Sequence, residues 1–153
     1  MPVKKLKEFL DSQHIKYVSI QHSPAYTAQE VAQSTHIPGH SLAKTVVIKI
    51  GGKMALAVLP ANQKIMLVDL RRVLQSDEIG FAAEEEFKSR FPDCEIGAMP
   101  PFGNLYGMEV YVARSLTSEE EISFNAGTHT EVIKVAYGDF ERLAHPKVIS
   151  FTT

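Results

Sequence analysis

One cysteine and no tryptophan occur in the 153-residue chain. A lone Cys94 excludes an internal disulfide framework and a cysteine-rich zinc site. Long hydrophobic runs are missing too. The longest, such as 45–48 and 54–59, fall far short of the ~20 apolar residues of a membrane-spanning helix. The N-terminus, Met-Pro-Val-Lys-Lys-Leu-Lys-Glu-Phe-Leu, carries charge throughout and lacks the apolar segment of a signal peptide. Neither charge sign dominates. Sixteen Lys+Arg against 18 Asp+Glu leave a net charge of −2, which excludes a strongly basic nucleic-acid coat and an acidic disordered tail while permitting a local RNA-binding patch. These absences predict a cytoplasmic protein with no membrane partner.

Familiar catalytic signatures are absent as well. There is no Gly-x-Ser-x-Gly elbow, Walker A loop, His-Glu-x-x-His helix or Gly-x-Gly-x-x-Gly turn. The six histidines are scattered. His36 and His40 are four apart, but Pro38 and Gly39 between them break the helix that would align them. The expectation is no metal and no cofactor. Cys94 stands between Asp93 and Glu95, whose charges raise a thiol pKa and weaken it as a nucleophile.

What is present is a well-mixed globular sequence, 44% hydrophobic and 22% charged. It has no repeats, low-complexity tracts or Pro/Gly/Ser linker, so residues 1–153 are expected to form a single domain. Leu6, Phe9, Leu10 and Gln13 recur at helical period and predict an opening helix over 4–12. Residues 15–21 suggest a strand. Thr27 and Glu30 have capping-box spacing for a helix that Pro38 and Gly39 stop. Two aliphatic runs, 42–50 and 53–59, flank Gly51-Gly52 and predict an antiparallel hairpin with a type I′ turn. Further on, Asp69 is expected to cap a short helix, 79–82 to form a strand, and 83–91 a helix ended by Pro92. Strands are expected at 109–113, 122–125 and 131–135, followed by a helix capped by Asp139 and closed by Pro146. The order predicts an α/β (α+β) fold with a mixed, mostly antiparallel, barrel-like sheet flanked by helices.

Three segments resist a purely structural reading. In Leu42-Ala43-Lys44-Thr45-Val46-Val47-Ile48, Lys44 sits at the edge of an apolar strand, where its ammonium must find an anion or reach solvent. Residues 96–103 place Gly97, Ala98, Met99, Pro100 and Pro101 in a stiff loop. It is either a rigid connector or a platform presenting backbone N–H and C=O groups in fixed directions. Residues 124–130 gather Asn125, Gly127, Thr128, His129 and Thr130 in one corner, which suits a hydrogen-bonded turn or a compact pocket for a small group.

In order and spacing these three segments, with Tyr26-Thr27-Ala28-Gln29-Glu30 and Ala136-Tyr137-Gly138-Asp139, resemble the YbaK / prolyl-tRNA-synthetase-associated domain, the aminoacyl-tRNA editing family. The resemblance covers nearly the whole chain and implies a deacylase that hydrolyses the ester of a wrongly charged tRNA. It assigns Lys44, with Thr45 beside it, to the terminal adenosine or its phosphate. It assigns Gly97 and the loop through Ala98, Met99, Pro100 and Pro101 to the aminoacyl group and the attacking water. His129 falls where alanine-clearing members carry a pocket histidine, with Asn125, Gly127 and Thr128 around it. Cysteine-clearing members have a Gly-Lys-Arg-Gly-like stretch instead. An aminoacyl ester is already activated and the neighbouring ribose hydroxyl can assist, so orientation and backbone donors suffice without a protein nucleophile.

The implied partner is the acceptor end of an aminoacyl-tRNA, with an aminoacyl-tRNA synthetase as a further candidate, and the protein itself is expected to be a monomer or weak dimer. Lys4, Lys5, Lys7, Lys44, Lys49, Lys53 and Lys64 make the first half basic, and the acidic runs 84–86 and 119–121 are expected on solvated faces. The expected substrate bears a small residue such as alanine or serine on tRNA-Pro or a related tRNA. Two alternatives stand beside it: a Cys-tRNA(Pro) deacylase, and a non-catalytic module that binds aminoacyl-tRNA or a nucleotide.

Overall fold

The computed structural model describes residues 2–153. The chain runs α1 (Pro2–Ser12), β1 (Tyr17–Gln21), α2 (Ala28–Thr35), β2 (Leu42–Ile50), β3 (Lys53–Pro60), α3 (Leu67–Val73), β4 (Ile79–Phe81) and α4 (Glu84–Phe87). It continues through β5 (Glu109–Ala113), β6 (Glu121–Asn125), β7 (Glu131–Ala136), α5 (Tyr137–Ala144) and β8 (Lys147–Ile149). Short 3-10 turns occupy Lys88–Arg90, Gly103–Leu105 and Arg114–Ser118.

The glycine pair makes the central hairpin. Gly51 and Gly52 take φ of 56° and 89°, the left-handed pair that a type I′ turn requires. They fold β3 onto β2 in antiparallel register from Ile50↔Lys53 to Ala43↔Pro60. The other pairings give one mixed sheet in the order β1-β7-β6-β2-β3-β5-β8, with β4 on β2. The pairs β1–β7, β6–β7, β2–β3 and β2–β4 are antiparallel, whereas β2–β6, β3–β5 and β5–β8 are parallel. The mixed α/β architecture anticipated from the element order is therefore present.

The sheet curves around a core into which β2, β3, β5, β6 and β7 each send alternate residues: Ala43 and Val47, Leu56 and Val58, Val110 and Val112, Ile122 and Phe124, Ile133 and Val135. Phe102 lies inside it, edge-on to Phe9, Phe124 and Phe140. Leu6 and Leu10 of α1, 1% and 0% exposed, close one side. Residues of opposite parity on β2 face outward. Ile48 joins a second cluster with Leu59, Leu70 and Phe151. Leu42 joins a third with Ala25, Val31, Ala61 and Val132, beneath α2.

Three helix boundaries differ from expectation. Asp69 is not an N-cap: α3 begins at Leu67, after Met66, whose N–H is fixed to the Phe151 carbonyl (2.7 Å) and whose carbonyl takes the Asp69 N–H. Asp69 instead pairs with Arg72. Asp139 likewise lies inside the first turn of α5, because Tyr137 N–H is held by the Glu120 carbonyl (2.9 Å) and the helix starts where β7 ends. The predicted helix over 83–91 is a single α turn, 84–87, followed by a 3-10 turn. Thr27 does cap α2, its hydroxyl accepting from the Glu30 N–H (3.1 Å).

Candidate functional site

Strand β2 is the element on which the site turns. The edge of β2 away from β3 pairs with β6 only at Leu42 and Ala43, and with β4 only from Ile48 to Ile50. Lys44, Thr45 and Val46 therefore lie where β2 has left β6 and not yet met β4. At this fork one polar pair interrupts an aliphatic strand.

Lys44 is half-buried and shares the outward face with Leu42. Among the described residues no carboxylate lies within ion-pair distance of it. Burial, then the nearby Lys64 ammonium, hold its pKa below the ordinary lysine value. Asn125 ends β6, one residue past Phe124, the last β6 residue paired with β2. The Asn125 Oδ1 is buried without a hydrogen-bond donor among the described residues, and so is the Thr45 Oγ1 on the opposite, inward face of β2.

The loop and the turn singled out in the sequence are clasped together. Glu95 N–H donates to the Gly127 carbonyl (2.8 Å), Gly127 N–H to the Ala98 carbonyl (2.9 Å), and His129 N–H to the Glu95 carboxylate (3.1 Å). Gly97 and Gly127 have φ of 87° and 95°, a region that side chains with a Cβ rarely enter. None of these bonds uses the Gly97 N–H. Met99 is buried in the inner core, and Pro100 and Pro101 are buried beside it, anchoring the loop's far end. Thr128 lies at the turn's edge, its hydroxyl 3.3 Å from that of Thr130.

His129 is 8% exposed. Its Nε2 lies 2.8 Å from the Ile96 carbonyl. A carbonyl only accepts, so Nε2 donates, and in the neutral imidazole Nδ1 is then the acceptor. That Nδ1 is buried and finds no donor among the described residues. Tyr26, 67% exposed, tilts over the imidazole with ring centroids 4.9 Å apart. In the sequence Tyr26 only precedes α2. The Ala25 N–H bonded to the His129 carbonyl (3.1 Å) is what brings that loop across, and no local pattern announces it.

Glu131, at the foot of the same turn, is 5% exposed and takes Lys7 (2.8 Å) and the Ser19 hydroxyl. Burial alone would raise its pKa, but Lys7, Ser19 and Gln21 outweigh it and hold the carboxyl below the usual range. A carboxylate with a depressed folded pKa stabilises above its unfolded pKa, and that stability is lost as pH falls through the folded value. Glu131→Gln should therefore lower the melting temperature at pH 7 by a few degrees, about 3–8 °C. The difference from wild type should shrink below about pH 4. A gap that stays constant in thermal melts from pH 7 to pH 3 would show that the pair contributes nothing.

The lysines expected to form a basic face are unevenly engaged. Lys4 pairs with Glu8, Lys7 with Glu131 and Lys49 with Glu86, while Lys5 donates to the Leu105 carbonyl over the Tyr106 ring. The Cys94 thiol lies 3.3 Å from the Tyr106 hydroxyl. Burial first, then Asp93, pushes its thiol up against the opposing hydrogen bond; the sequence had suggested only the charges. Cys94→Ser should keep at least about half of any activity at this site. An acyl group trapped on Cys94 and found by mass spectrometry would overturn that.

The family model for the aminoacyl-tRNA editing domain matches residues 22–143. The chain is 25% identical over 140 residues to the prolyl-tRNA editing protein ProX of Acetoanaerobium sticklandii, covering 88% of this chain and 85% of that one. It is 30% identical over 115 residues to the multifunctional Ser/Thr-tRNA deacylase ProXp-y of Escherichia coli K12, covering 71% and 68%. A crystal structure described as a candidate trans-editing enzyme for prolyl tRNA synthetase superposes with a TM-score of 0.83 at 20% identity, over 99% of this chain and 97% of that one. A hypothetical protein of known structure gives 0.87 at 14% identity, over 97% and 99%. At these identities the two structures establish a shared fold.

Proposed function

The chain belongs to the aminoacyl-tRNA editing domain family, and from that premise we propose that it is a trans-acting hydrolase that removes a small amino acid, serine or alanine, from a mischarged tRNA. The observation that carries this reading is Lys44: a half-buried ammonium with no carboxylate partner among the described residues, at the fork where β2 leaves β6. An ammonium in that position is suited to an anionic ligand, and the anion of an aminoacyl-tRNA terminus is its phosphate.

In this reading Lys44, with Asn125, holds the terminal adenosine or its phosphate, while the Thr45 hydroxyl, on the inward face of β2, does not share that ligand. The Gly97 N–H and the loop through Ala98, Met99, Pro100 and Pro101 orient the ester carbonyl and the water. Gly127, Thr128 and His129 close the pocket around the acyl side chain. Water adds to the ester carbonyl, the ribose 3′ oxygen leaves with a proton, and the neighbouring ribose hydroxyl assists that transfer. A prearranged donor at the developing oxyanion lowers the barrier without a covalent intermediate. The name of the ProXp-y relative supports serine within the small-residue class. The buried Nδ1 acceptor of His129 suits a hydroxyl donor as well.

Turnover separates this reading from a module that only binds charged tRNA. With RNA in about hundredfold excess over protein, release of amino acid beyond one equivalent supports the hydrolase. Saturable binding without release overturns it.

A further inference from the structure

The segment following β3, residues 61–66, carries a second lysine toward the fork. Ala61 N–H donates to the Leu42 carbonyl (2.8 Å), so the segment starts alongside the residue two before Lys44 on the same outward face. It is then pinned. The Gln63 Oε1 accepts from the Ser115 hydroxyl (2.8 Å) and from the Thr152 hydroxyl (2.5 Å). The Lys64 carbonyl accepts from the Thr153 N–H (3.1 Å), and Met66 N–H donates to the Phe151 carbonyl (2.7 Å). The backbone at Lys64 is thus fixed from both sides while its side chain stays exposed.

Among the described residues neither Lys44 nor Lys64 has a carboxylate within ion-pair distance. Lys7 and Lys49 each have one. Two like charges held near each other without a counter-charge repel, and Lys64 lowers the Lys44 pKa accordingly. Bringing in one anion turns this mutual repulsion into a double attraction. An aminoacyl ester has no free carboxylate, so the anions available on the substrate are phosphodiesters.

We propose that Lys64 is a second RNA-binding cation, gripping with Lys44 a phosphodiester of the single-stranded 3′ end next to the ester. This rests on the tRNA-deacylase reading and adds to it a residue outside the clasped loop and turn. Lys64 binds the strand rather than the reacting ester. Its effect is therefore on affinity and salt dependence, not on the chemical step.

The test compares Lys64→Gln and Lys64→Arg with wild type on two substrates, charged tRNA and a 3′-aminoacyl-adenosine that lacks any phosphate. On charged tRNA, Lys64→Gln should raise KM about five- to tenfold with kcat within about twofold, and flatten the log–log salt slope by about 0.7, the share of one single-strand phosphate contact. Lys64→Arg should restore both, and the aminoacyl-adenosine should be cleaved equally by all three proteins. An unchanged KM and slope overturns the proposal, as does an equal loss on both substrates. If wild type hydrolyses neither substrate, the functional reading has failed on its own. The grip is then read from fluorescence binding of a short single-stranded RNA ending in a free 3′ adenosine. Weakening by Lys64→Gln with the same change of slope supports the grip, and unchanged affinity overturns it.

Discussion

Lys44→Ala should lower kcat/KM for deacylation by about 10²-fold or more and leave the melting temperature within about 3 °C of wild type. Both halves follow from its surroundings. Burial and Lys64 disfavour the ammonium, so the folded pKa lies below the unfolded one. Below that folded pKa the charged side chain costs the folded state stability, and removing it relieves the cost. No described carboxylate pairs with Lys44, so its loss leaves no buried charge uncompensated, unlike the breaking of a buried ion pair. Lys44→Met, which refills the apolar stem, should be as inactive and at least as stable. Circular-dichroism melts beside steady-state kinetics check the pair of claims. An unfolded Lys44→Ala protein would make Lys44 a structural residue, and a folded, fully active one would remove it from the site.

How far such a site can be read from the chain depends on whether its determinants are local. The β2–β3 hairpin is legible because two glycines alone supply the positive φ of its turn. The α2 start is legible because Thr27 and the Glu30 N–H are three residues apart. The clasp between residues 95–98 and 127–129 shows in the sequence only as two unusual segments, since its bonds join residues about 30 apart. The fork is invisible at that level. Nothing in Leu42-Ala43-Lys44-Thr45 states that one strand edge will meet β6 for two residues and β4 for three. Strand β8, only three residues long, escapes for a related reason. It has no alternation of its own and exists because β5 offers it a parallel edge. Residue type marks Asp69 and Asp139 as caps, whereas long-range bonds from Met66 to Phe151 and from Tyr137 to Glu120 set those helix starts. Tyr26 and Lys64 enter the site's surroundings by the same kind of tertiary tie.

Gly97→Ala and His129→Ala should separate positioning from selection. At Gly97 an added Cβ would meet His129 Cε1 at 3.6 Å, an ordinary contact. The damage therefore comes from backbone strain at φ 87° more than from crowding. Strain of about 1–2 kcal/mol at a non-glycine residue that shifts the loop out of line should cost about tenfold in kcat on every ester cleaved. His129→Ala acts differently. It removes the bond to the Ile96 carbonyl and the face on which Tyr26 rests, and it would enlarge the proposed acyl pocket. A pocket gains only ~1–3 kcal/mol per methylene among ligands that fit, whereas one too large is shut out sterically. Wild type should thus cleave alanyl- and seryl-tRNA and spare prolyl-tRNA. His129→Ala should narrow that gap by about tenfold or more while tRNA affinity stays within about twofold. Losing the Nδ1 acceptor should penalise the seryl ester more than the alanyl one. The measurement is ester loss from alanyl-, seryl-, cysteinyl- and prolyl-tRNA at equal concentration with all three proteins. Fastest cleavage of the cysteinyl ester would move the assignment to the cysteine-clearing branch. Equal rates on all four esters, untouched by either substitution, would mean that the clasped loop and turn do not form the selecting pocket.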